Sequence, residues 1–99
     1  MEKGRIAHSP LFLLYTLKNQ PDTRISAVTP KKVAKTAVGR NSIRRKIYES
    51  ARTLGGKNGE NFVPGIHAIV FAKPAMLKTV KTEIVTDLKN IFVKVGILR

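Results

Sequence analysis

The chain has 99 residues with 19 Lys and Arg against 6 Asp and Glu, a formal net charge of +13. That length fits one small domain, residues 1–99, and leaves no room for a two-domain enzyme. Hydrophobic residues at 42% and charged residues at 25% describe a globular chain, and the absence of cysteine excludes disulfides, thiolate nucleophiles and cysteine-ligated zinc.

So one-sided a charge costs stability through self-repulsion, which points to a polyanionic partner, nucleic acid or an anionic membrane surface. The cysteine usage fits the cytosol, and a cytoplasmic protein is expected. The longest apolar stretches, residues 11–15 and 68–72, fall far short of the ~20 residues that span a bilayer. The start, Met1-Glu2-Lys3-Gly4-Arg5, leads into no signal-peptide apolar region.

In chain order, residues 5–8 offer a short edge strand. Residues 11–18 read as a strand, with β-branched and aromatic residues among leucines, and residues 19–22 (Asn-Gln-Pro-Asp) as a turn. Residues 24–29 alternate and are expected to pair antiparallel with that strand. Pro30 stops the sheet, and a helix is predicted by Val38, running to about Leu54 with Gly55-Gly56 as its stop. Residues 55–61 (Gly-Gly-Lys-Asn-Gly-Glu-Asn) read as an exposed, mobile loop. Residues 66–72, nearly all apolar, read as a central strand ended by Lys73-Pro74. From Met76 onward, Leu77, Val80, Ile84, Leu88, Ile91 and Val95 recur at helical spacing. The core order is β-β-α-β-α, an α+β chain with helices packed on an open sheet.

The charge is concentrated. Residues 31–52 hold eight Lys and Arg against Glu49 alone, a net +7, more than half the total in under a quarter of the chain. At about 100° per residue, Ile47, Ala51 and Leu54 fall within about 80° of Ile43 and form a stripe to be buried. Arg44, Tyr48, Asn41, Arg52 and Arg45 follow at about 100–200°, on one flank, while Arg40 at about 60° lies near the core edge, where it could line a groove between helix and sheet. Guanidiniums fork onto phosphate, an asparagine pairs with a base edge, and a tyrosine stacks on an unpaired base. The plainer alternative is a solvated basic face, although solvation needs no such sign bias. Lys31, Lys32 and Lys35 extend the positive surface, with phosphate contact and a solvated loop equally open.

Residues 29–47, Thr-Pro-Lys-Lys-Val-Ala-Lys-Thr-Ala-Val-Gly-Arg-Asn-Ser-Ile-Arg-Arg-Lys-Ile, resemble the signature of the bacterial ribonuclease P protein component. That signature is a Ser-Lys-Lys-Val-Gly-Lys-Ala-Val type lead-in followed by Arg-Asn-Arg-Ile-Lys-Arg on a helix. Residues 13–17 (Leu-Leu-Tyr-Thr-Leu) are similar to the family's first long strand, and residues 69–74 (Ile-Val-Phe-Ala-Lys-Pro) to its strand ending in Ala-Arg-Pro. The resemblance covers residues 4–95.

It implies a two-layer α/β sandwich with a small mixed sheet and a left-handed βαβ crossover, similar to a domain of a small ribosomal protein and an exception to the right-handed rule. It further implies a protein subunit of ribonuclease P, an endoribonuclease whose chemistry resides in RNA and its Mg2+, with no cofactor in the protein itself. The partners would be the catalytic RNA, facing the basic helix, and the 5′ leader of precursor tRNA, in a groove between helix and sheet. Arg40, Asn41, Arg44 and Arg45 match the RNA-facing positions, and Tyr15 a tyrosine lining the leader groove. Strand alternation alone would make Tyr15 a half-buried sheet residue.

The chain departs from the pattern at Ser42, where a second basic residue is usual, and at Tyr48, where Arg is common. Family members also carry an N-terminal helix with aromatic residues, and Met1 stands about where it would end, so a groove with one wall fewer is expected.

No catalytic machinery is visible. His67 in an apolar run reads as a hydrogen-bonded structural residue and His8, beside Ser9-Pro10, as a turn residue. The six acids show no paired-carboxylate or metal-ligand spacing, and Glu83 and Asp87 read as a solvated helix face. Ser26, Ser42 and Ser50 lack a nucleophile-elbow context, and the glycines around residue 55 lack a phosphate-loop ending. A structural RNA-binding protein, such as a small ribosomal protein with no role in cleavage, is the alternative. A membrane-surface binder is weaker, because the apolar stripe lacks bulky aromatic anchors.

Overall fold

Phe12, Leu14 and Thr16 alternate with Leu13, Tyr15 and Leu17, and in the computed structural model, which describes residues 4–98, the first set is buried and the second half-buried. These residues form β2 (Phe12–Leu17). The same period of two runs through β4 (His67–Ala72), where Ala68, Val70 and Ala72 are buried. β1 (Arg5–His8) and β3 (Arg24–Val28) complete a four-stranded sheet in the order β1-β2-β4-β3. The Met1–Lys3 start falls outside the described residues.

The sheet is mixed. β1 pairs antiparallel with β2, β2 antiparallel with β4, and β3 runs parallel to β4. The antiparallel pairing expected between residues 11–18 and 24–29 therefore does not form, because β4 lies between those strands. The intervening turn serves β4 instead: the Gln20 amide donates to Gly65 O at 2.9 Å and the Arg24 amide to Ile66 O at 3.1 Å. β4, like β2, is largely apolar and lies inside the sheet with a neighbour on each side. Parallel β3 and β4 then need a long crossover, which α1 (Ala37–Gly55) supplies. The order is β-β-β-α-β-α rather than β-β-α-β-α, and His8 ends β1 instead of standing in a turn.

α2 (Lys81–Val95) is shorter than the periodicity predicts. Residues Pro74–Lys78 form a 3₁₀ turn that buries Met76, leaving Leu77 57% and Val80 60% exposed, off the apolar stripe. Ile84, Leu88 and Ile91 are buried as expected, joined by Phe92 and Ile97. α1 contributes Ile43, Ile47 and Ala51, and these helix residues pack with Phe12, Leu14, Ala27 and Val70 in one apolar core.

The glycine-rich stretch after α1 is tied down. Asn61 caps the helix, its Nδ2 donating to Leu54 O at 3.2 Å and its amide to Gly55 O at 2.8 Å. Phe62 then meets Phe92 edge to face, with ring centroids 6.0 Å apart. Asp87 leaves the solvated face expected of it. Its Oδ2 accepts from Ser9 Oγ at 2.6 Å and the Leu11 amide at 3.1 Å, fastening the β1–β2 turn to α2. Lys73 Nζ donates to Ser9 O at 2.8 Å and secures the same turn from β4.

Candidate nucleic-acid interface

α1 begins where Thr36 Oγ1 accepts from the Gly39 amide at 3.0 Å, a side-chain N-cap, and its first turn carries no acid. The apolar stripe fixes its rotation. With Ile43, Ile47 and Ala51 buried, Asn41, Arg44, Arg45, Tyr48 and Arg52 all emerge on the solvent side, as the wheel requires. Arg44 Nη2 donates to Asn41 Oδ1, so the amide and one guanidinium act as a unit. Among the described residues, no ion pair engages Arg44, Arg45 or Arg52; the pairs are Arg24–Asp22, His67–Asp22 and Lys81–Glu49.

Two residues on this helix make contacts inward. The Tyr48 hydroxyl accepts from the Ala27 amide at 3.0 Å, capping a donor on β3, which ends the sheet on that side. The residue as a whole stays 41% exposed while its hydroxyl is committed. Arg40 is half-buried and reaches back over the first turn, Nη1 donating to Ala34 O at 3.2 Å and Lys35 O at 3.0 Å. In the lead-in, Val33 is buried and Lys31, Lys32 and Lys35 are exposed around it.

Tyr15 sits elsewhere. The stripe of α1 meets the sheet's buried face directly, so core side chains fill the space where a groove between helix and sheet was expected. Register places Tyr15 with Ile6 and Ile69, and Leu13 with Phe71 and His8, on the opposite face. Ser26 and Val28 of β3 continue that face. None of these residues is buried, and Ile6 is 63% exposed, so among the described residues this side of the sheet is an open, largely apolar surface. Gly4 lies over the Tyr15 ring so closely that a side chain there would collide with it.

At one end of this face His67 Nε2 lies 2.8 Å from Asp22 Oδ1, and Arg24 Nε donates to Asp22 Oδ2 at 2.9 Å. The His67 hydrogen bond, then that of Arg24, holds the Asp22 carboxyl below its ordinary value. His67 is thus hydrogen-bonded, as the sequence suggests. The apolar partners Ile6, Ile69 and Phe71 were missed as surface residues. Alternation marks each of them within its strand, but only the pairing register assembles them.

The family model for ribonuclease P matches residues 1–96. The chain belongs to the ribonuclease P protein family. A ribonuclease P protein component from an Exiguobacterium species is 34% identical over 91 residues, covering 91% of this chain and 75% of that one. The Staphylococcus aureus ribonuclease P protein superposes with a TM-score of 0.79 at 21% identity, over 97% of this chain and 84% of that one. The Thermotoga maritima protein gives 0.78 at 20% identity, over 93% and 84%. The mixed sheet and two helices described above are thus the fold of ribonuclease P proteins. Among the described residues, no helix is long and apolar enough to cross a membrane.

Proposed function

We propose that this chain binds the RNA subunit of ribonuclease P through the outer face of α1 and its lysine lead-in, and assists 5′ maturation of precursor tRNA. The observation that carries this reading is a set of arginines held in register by a buried stripe and left without acidic partners among the described residues. Such a face gains most by neutralising converging phosphates. Arg44, Arg45 and Arg52 would contact RNA phosphates, Asn41 a base or sugar edge, and the Tyr48 ring an unpaired base. The open sheet face around Tyr15 would hold the single-stranded leader, whose flat bases suit an apolar, partly aromatic surface. The mature product has no leader to fill that face, and the difference helps the holoenzyme separate precursor from product.

Magnesium belongs with the RNA in this reading. Among the described residues, no three His, Asp or Glu side chains come together to hold a metal. Two of the chain's acids serve its fold, Asp87 at the β1–β2 turn and Asp22 beside His67.

Reconstitution tests the proposal. The rate of 5′ cleavage of a precursor tRNA by the ribonuclease P RNA at low magnesium should rise on adding the protein. No stimulation, with RNA binding intact, would instead favour a purely structural RNA binder.

A further inference from the structure

We propose that Arg40 is a positioning residue whose task is to aim Lys35 at RNA, rather than a phosphate ligand in its own right. The inference rests on the RNA-binding reading of α1. Its basis is where the guanidinium goes. Nη1 donates to Ala34 O at 3.2 Å and to Lys35 O at 3.0 Å. Those two carbonyls belong to the two peptide planes on either side of the Lys35 Cα. Fixing both planes fixes φ and ψ of Lys35, and with them the direction of its Cα–Cβ bond.

Arg40 is itself held from the other side. Thr29 Oγ1 donates to its carbonyl at 3.4 Å, so one residue closes the arch from the end of β3 to the start of α1. Lys31 and Lys32 need no such help, since the Val33 and Ala34 amides both donate to Pro30 O and Val33 is buried. Lys35 is exposed, and although the Gly39 and Arg40 amides hold the cap Thr36 that follows it, the Lys35 carbonyl itself takes its hydrogen bond from the Arg40 side chain. The bonds also mask two carbonyl oxygens, whose negative ends would repel a phosphate brought up to Lys35. Both bonds leave one nitrogen, and Nη1 stands one bond farther from the backbone than a lysine Nζ, so an ammonium at this position falls short of the two carbonyls.

The test is a double-mutant cycle on the full chain with an in-vitro transcribed ribonuclease P RNA. Affinity is measured against salt, and folding is checked by circular dichroism. Removing the cation that neutralises one phosphate lowers the slope of log K against log salt by about 0.7–0.9. Lys35→Ala should lose one such step and Arg40→Ala the same step, and the double variant should lose no more than either. Arg40→Lys, which keeps the charge, should behave like Arg40→Ala. Losses that add to about two steps, an unchanged Lys35→Ala, or a wild-type slope in Arg40→Lys would each overturn the assignment while leaving the RNA-binding reading in place. A flat salt response in the wild-type protein would overturn that reading and the assignment with it.

Discussion

Thr16 and Ser50 bury their hydroxyls in the core, and among the described residues neither oxygen has a hydrogen-bond partner. A buried unsatisfied hydroxyl costs on the order of 1–3 kcal/mol, so removing it without changing shape should stabilise the fold. Thr16→Val makes that exchange on a strand that favours β-branched residues, and should raise stability by about 1 kcal/mol. A urea-denaturation midpoint that falls instead would mean the hydroxyl is satisfied in solution, by water. Asp22 makes a second prediction at this scale. Its carboxyl is held below its ordinary value of 3.8 by His67 and then Arg24, so the stability it supplies is present above that value and is lost as the pH falls through the lowered one. Wild type and Asp22→Asn should therefore differ at neutral pH and converge as the pH drops below 3.8. A gap in unfolding midpoint that persists unchanged into acid would show that the carboxylate's charge is not what matters.

At the scale of elements, α1 has two faces with separable duties. Ile47 is fully buried, and Ile47→Asp places an unpaired charge in the core at a cost of about 4 kcal/mol or more. That is much of the ~5–15 kcal/mol that stabilises a typical domain, so the variant should be largely unfolded by circular dichroism. Arg44→Ala and Arg45→Ala lie on the solvent side and should each change stability by no more than about 0.5 kcal/mol while weakening RNA binding. Should Ile47→Asp fold and Arg45→Ala not, the helix would be rotated from the position described. This division was legible in the sequence because a helix reports its faces through local spacing, and the solvent-facing arginines follow from the stripe. Ser50 falls about 20° from Ile43 on the same wheel, so its burial was legible too. Other features were not. The seat of Asp87 on Ser9 and the insertion of β4 between β2 and β3 join residues far apart in the chain, and no local pattern encodes such partners. The inward turn of Arg40 belongs to the same class, because a wheel gives an angle and not the carbonyls within reach.

Across the whole molecule, the sheet separates two surfaces of different chemistry. The helices fill one face, so the arginines of α1 look outward beyond that layer, while Tyr15, Ile69 and Phe71 look out from the other. Tyr15 lies on β2 and α1 packs beside β3, with β4 between those strands, a separation of about 10 Å in the sheet plane alone. Sites that far apart with no shared partner behave independently. Removing Arg44 and Arg45 should therefore weaken binding of the RNA subunit and flatten its salt dependence, at equal cost for precursor and mature tRNA complexes. Tyr15→Ala should leave RNA-subunit affinity unchanged and narrow the preference for precursor over mature tRNA by about 1–3 kcal/mol, the worth of one stacked base. The combined variant should show both losses, their free energies summing to within about 0.5 kcal/mol. A combined loss well below that sum would mean that one RNA strand crosses both surfaces, and that the two faces form a single continuous site around the β3 edge where Tyr48 stands.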